Sequence, residues 1–196
     1  WGSIFKYYQK QMLNLTDKQT KNLRRWNLVM GVLHLIQGLF MWFLSNSTVY
    51  KTFLNLPEPN RETRTIELIS EEFIGINLGY SIAIFLLLSA VAHFIIAAPS
   101  IFDWYVKNLK KEINLIRWYE YALSSSVMVV VIAALCGIND ASILFLLFSI
   151  NTCMNLFGAM MEKQNSALKE FKKEEYKTDW TSYNYGIIAG IEPWIV

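Results

Sequence analysis

The residue types that usually build soluble active sites are scarce in this chain. Its 196 residues include two cysteines, two histidines and four prolines. Cys136 and Cys153 both lie inside apolar stretches, so neither a disulfide framework nor a metal site is expected. No P-loop, glycine-rich dinucleotide loop or HExxH pattern is present. Also missing is the short-period alternation of apolar and polar residues that marks a soluble domain. Apolar residues make up 54% of the sequence and come in long blocks. No signal peptide is expected from the residues at hand, because the first apolar block follows a polar, basic segment.

The blocks cover residues 26–44, 73–98, 114–136, 141–161 and 183–196. A helix needs about 20 apolar residues to cross a bilayer. The expected fold is therefore all-α, a polytopic transmembrane bundle forming a single membrane domain over residues 1–196. The fifth run stops at Val196 in mid-course and the chain opens on Trp1, which reads as a fragment cut at its C-terminal end. Residues 45–72 form a polar loop with turn formers Pro57, Pro59 and Asn60 and alternating stretches, which predict a short hairpin. The loop also holds an Asn46-Ser-Thr glycosylation pattern, which carries weight only in a eukaryotic source. A basic loop links the second and third runs, and residues 162–182 read as a charged surface helix. The short link at residues 137–140 makes the third and fourth helices antiparallel neighbours.

Charge orients the bundle. Fifteen of the eighteen Lys and Arg residues fall in the N-terminal segment, in the link into the third run, and between the fourth and fifth runs. The positive-inside rule makes that side cytoplasmic, with the N-terminus inside and the 45–72 loop outside. These basic patches flank membrane helices, so they point to anionic head groups rather than nucleic acid.

Few ionisable residues interrupt the apolar runs. Residues 113–136 read INLIRWYEYALSSSVMVVVIAALC, with Glu120 about two turns inside. An acid within a spanning helix costs roughly 2.5–3.5 kcal/mol on insertion scales, so it normally faces a polar cavity or a cation. A plainer reading pairs Glu120 with Arg117 one turn earlier. His34 and His93 lie in the cytoplasmic halves of the first and second runs, at a depth matching Glu120, and Ser89 is one turn from His93. Together these groups can line one polar pocket; the alternative is that each histidine bonds a neighbouring backbone. Glu192, before Pro193, is either a second proton-handling carboxylate on a kinked helix or a residue facing the bundle interior.

The RWYEYALSSS stretch, with His34, His93 and the KTDW…AGIEPW segment, resembles the heliorhodopsins, a family of retinal-binding membrane proteins with seven helices and inverted topology. The resemblance runs from the first apolar block onward. It implies a rhodopsin-like fold of which helices A to E are present, with E incomplete. It also implies all-trans retinal as cofactor, and Glu120 as counterion of the protonated Schiff base. His34, His93 and Ser89 would then form the polar network near the counterion, and Ser125, Ser126 and Asn151 would line the retinal pocket. The family's retinal-bearing lysine lies on helix G, and none of the five apolar runs here contains a lysine. A slow photocycle, a sensory rather than pumping role, and a homodimer follow from the same resemblance. Light-driven or light-gated proton transport, motivated by Glu192, is the alternative function. A bundle that keeps the fold without retinal is a third reading, and an enzyme finds no nucleophile or metal triad to support it.

Overall fold

A computed structural model describes residues 15–172 and 176–195. The N-terminal aromatic and basic segment through residue 14, with Lys6 and Lys10, lies outside the described residues, as do residues 173–175 and Val196. The chain runs through α1 (Asp17–Leu44), β1 (Tyr50–Asn60), β2 (Thr65–Ile76), α2 (Leu78–Ala97), α3 (Pro99–Lys110), α4 (Leu115–Leu135), α5 (Ala141–Lys172) and α6 (Thr181–Ile191), ending in a 3₁₀ turn, Glu192–Trp194. Four of these helices, α1, α2, α4 and α5, are long and apolar enough to cross a membrane. Much of their apolar surface is outward-facing, as on Ile36, Phe40 and Phe43 of α1, which suits hydrocarbon rather than water.

The elements depart from the sequence expectation at their ends, each time for a local reason. Helix α1 starts nine residues before the apolar run, at a capping box: Thr16 Oγ1 accepts from the Gln19 backbone N–H at 3.3 Å, and Gln19 Oε1 accepts from the Thr16 N–H at 2.9 Å. Residues 73–76, expected in the second helix, belong instead to β2, and that helix begins only after Asn77. The Asn77 side chain accepts from the Tyr80 N–H at 2.9 Å and donates to the Asn46 carbonyl at 2.6 Å. One residue thus caps α2 and ties down the loop leaving α1. The link expected as a basic loop is the amphipathic helix α3, opened by Pro99 and burying Phe102, Tyr105 and Val106. The charged stretch after Met161 continues α5 without a break to Lys172. At 1.5 Å per residue α5 is about 48 Å long, well beyond a hydrocarbon core of about 30 Å, so its charged end projects from the membrane.

The helices pack α1 on α2, α2 on α4, α4 on α5 and α5 on α6. Close approach comes from small residues. A Cβ at Gly38 would sit 2.8 Å from Leu87, and one at Gly158 would sit 2.3 Å from the Trp118 ring. Bare backbone at these points lets the bulky neighbour close the interface, the usual device where no hydrophobic drive operates between helices. The hairpin β1–β2 is antiparallel, with Asn60 opposite Thr65. It is pinned to the α4–α5 turn by the Phe53 N–H on the Asn139 carbonyl at 2.9 Å and by the Asn55 amide on Asp140 at 2.6 Å.

Candidate functional site

Glu120 is the sixth residue of α4, inside a helix apolar enough to cross a membrane. Ser89 on α2 donates its hydroxyl to Glu120 Oε1 at 2.5 Å, short enough for a charge-assisted bond. The two line a cavity of about 170 Å³ with Asn27, His93, Tyr105, Asn114, Arg117 and Tyr121. His93 Nδ1 is 2.9 Å from the Asn27 Oδ1, and Asn27, itself buried, fixes its own amide on the Leu23 carbonyl at 2.9 Å. His34 does not line the cavity. It stacks behind His93, with ring centroids 5.6 Å apart and planes inclined by 12°, and its buried Nδ1 has no hydrogen-bond partner among the described residues. The alternative in which each histidine simply bonds a neighbouring backbone therefore does not describe either ring here.

The plainer account of Glu120 fails on the same geometry. Arg117 turns to the neighbouring helix, and its Nη2 donates to Glu162 Oε1 on α5 at 2.6 Å. Among the described residues Glu120 has no ion-pair partner. The far wall of the cavity belongs to α3, where burial pushes the Tyr105 phenol above its ordinary range, partly offset by its hydrogen bond with the Asn114 amide.

One turn beyond Glu120, α4 carries a second polar group of different character. Asn151 on α5 donates its amide to Ser125 Oγ at 2.8 Å and Ser126 Oγ at 3.0 Å. Ser126 returns its hydroxyl to the Ala122 carbonyl at 2.7 Å, and Ser125 does the same to Tyr121 at 2.5 Å. Asn155 extends the ladder, reaching Ser125 Oγ at 3.2 Å and the Asn151 carbonyl at 2.9 Å. The three residues expected in the ligand pocket are thus joined to one another. Glu192 stands apart from both groups: it is exposed and begins the 3₁₀ turn after α6.

Sequence reasoning missed Asn27, Tyr105, Asn114, Asn155 and Glu162. A period count could have found Asn27, which lies one helical turn from Gly31 and two from His34 on the face that meets α2. Asn155, one turn from Asn151, was visible in the same way. Glu162 was not, because it falls where the apolar run gives way to charge.

Among curated proteins no match is found. The sequence matches the family model described as heliorhodopsin over residues 23–196. That span takes in both polar groups on α4 and the four membrane-capable helices, apart from the first six residues of α1. The chain belongs to the heliorhodopsin family: it is an integral membrane protein of rhodopsin type, in a family of retinal proteins.

Proposed function

We propose that the protein is a light sensor in which Glu120 is the counterion of a protonated retinal Schiff base. One observation carries this reading. Glu120 is a carboxylate inside an apolar helix with a serine as hydrogen-bond partner and no cation of its own among the described residues. Such a group is costly unless a positive charge completes the site. The donor set therefore fits a cationic ligand rather than a neutral one. Bound through a Schiff base, all-trans retinal supplies visible absorption and a cation whose position changes with light.

The chain's own residues divide the remaining work. Ser89 holds one oxygen of Glu120 and so orients the carboxylate. Ser125, Ser126 and Asn151 hold a neutral hydrogen-bonded wall beside the chromophore region, which excludes mobile charge from it. His93, fixed by Asn27 and stacked on His34, offers ring nitrogens able to take or give a proton near the cavity. The five apolar runs contribute this counterion side, while the covalent attachment is expected on a lysine of a seventh helix. The N-terminus is assigned to the cytoplasm and the hairpin to the exterior, on the distribution of Lys and Arg. Sensing is favoured over proton transport because Glu192 does not connect with the Glu120 group. Retinal and lipid are the partners of this reading, together with a second copy of the chain as a homodimer.

The test is the visible spectrum of the full-length protein purified with all-trans retinal, beside its Glu120→Gln form. A pigment band that moves strongly in the variant is the expected result. A band that stays in place removes Glu120 from the counterion role. Photocurrents under voltage clamp decide between sensing and transport, and the sensor reading expects none.

A further inference from the structure

Glu162 is a mostly buried carboxylate that the counterion reading leaves without a task. Its side chain is 13% exposed, and both its oxygens are engaged. Oε1 accepts from Arg117 Nη2 at 2.6 Å, and Oε2 accepts from the backbone N–H of Asn114 at 2.7 Å. Asn114 is the cap of α4, so Glu162 grips that helix at its first turn from α5. Arg117 is held from a second direction as well. Its guanidinium lies 4.8 Å from the centroid of the Trp118 ring, which occupies the room left by Gly158, one turn before Glu162.

What this grip prevents is visible in the cavity. The groups facing it are Ser89 and His93 from α2, Asn27 from α1, Tyr105 from α3, and Asn114, Arg117, Glu120 and Tyr121 at the start of α4, with His34 behind His93. Among these described residues Arg117 is the one permanent cation, and it stands one helical turn from Glu120. Residues at that spacing are side-chain neighbours on a helix. An arginine fork forms its best bonds with a carboxylate. Without a competing acid, Arg117 would pair with Glu120 and occupy the charge that a cationic ligand needs.

We propose that Glu162 is a positioning residue: it holds the Arg117 guanidinium against α5 and thereby keeps the Glu120 carboxylate free for a cationic ligand. This rests on the counterion reading above, and the experiment separates the two. Full-length pigment with all-trans retinal is compared as wild type, Glu120→Gln, Glu162→Gln and the pair Arg117→Gln/Glu162→Gln, by band position and by acid titration of the band. Glu162→Gln keeps an acceptor for the Asn114 N–H but drops the charge, which releases Arg117 toward Glu120. Its band is expected to move in the direction of the Glu120→Gln shift, by less. Its acid transition is expected to fall by on the order of one pH unit, since a cation within a few ångströms favours the carboxylate. The pair lacks the released cation and returns both readouts toward wild type. A Glu162→Gln pigment identical to wild type, alongside a shifted Glu120→Gln band, overturns the inference and leaves the counterion reading standing. An unshifted Glu120→Gln band overturns both. Should Glu162→Gln yield no pigment, the pair decides: pigment recovered by removing Arg117 supports the inference, and continued failure assigns the contact to folding and overturns it.

Discussion

The two polar groups on α4 lie within two helical turns, yet they meet the membrane in opposite ways. The one around Glu120 holds charges and opens into a cavity. The one around Asn151 is neutral and closes on itself through serine hydroxyls and helix carbonyls. A charge taken from water must keep a cavity, a counter-charge or both. An amide or hydroxyl can be satisfied by the helix it sits on. The same helix can therefore carry a site that needs a ligand and a wall that needs nothing further, and the Glu120 group is where function should concentrate.

The sharpest way to break that distinction is to disturb the helix interface that both groups share. Gly158→Val would put a branched side chain into the Trp118 ring, where even a single Cβ would be 2.3 Å away. Overpacking of this kind costs about 1–3 kcal/mol, here with the added loss of the Arg117 and Glu162 alignment. A fall in the thermal midpoint of the detergent-solubilised protein checks it, and an unchanged midpoint would show that α4 and α5 have slack at this level. A smaller effect is expected within the neutral group. Asn151→Leu removes an amide that serves two serines, and interhelical hydrogen bonds in membranes average about 0.6 kcal/mol and reach about 1.7. The loss should appear in stability, with little change in how a pigment band responds to pH. His93→Phe should chiefly alter that pH response, since it removes the ring nitrogens facing the cavity. If both variants changed the same property, the two groups would be one unit.

Most of the helical architecture was legible because apolar blocks of membrane length have few other uses. What could not be read were ends, where single side chains decide. Thr16 with Gln19 extends α1 into a polar segment, Asn77 delays α2, and the amphipathic pattern of α3 was passed over for the three lysines at its end, Lys107, Lys110 and Lys111. The candidate site was half legible. Depth along each helix put His34, His93 and Glu120 at one level, whereas Ser125, Ser126 and Asn151 were marked only by the family resemblance. Which of two acids Arg117 would choose was not readable, because Glu120 is its neighbour in sequence and Glu162 its neighbour in space. Spacing offered the first only as the plainer alternative, and packing of Trp118 against Gly158 accompanies the second.

A carboxylate outside the membrane provides the control for this contrast. Asp140 caps α5 from the α4–α5 turn, accepting from the backbone N–H groups of Ile143 at 3.2 Å and Ser142 at 2.8 Å and from the Asn55 amide at 2.6 Å. The Ile143 N–H foremost, and then the Asn55 amide, hold its carboxyl below the usual range. A depressed folded-state value means that the stability Asp140 contributes is present above the unfolded value of about 3.9 and is lost as pH falls through the lower folded value. Hydrogen exchange at the β1 amides, measured from pH 6 down to pH 3, should therefore show the hairpin loosening from α5 at the acid end. Asp140→Asn keeps an oxygen for the helix N–H groups and abolishes the acid step, leaving a hairpin docked more weakly at every pH. Because Asp140 is solvated and its partners are neutral, this change should be smaller than those expected at Gly158, Asn151 and His93. A large effect would mean that a place in a surface turn does not separate this acid from Glu120, and that the position of Glu120 within a membrane-capable helix is not what makes it a site.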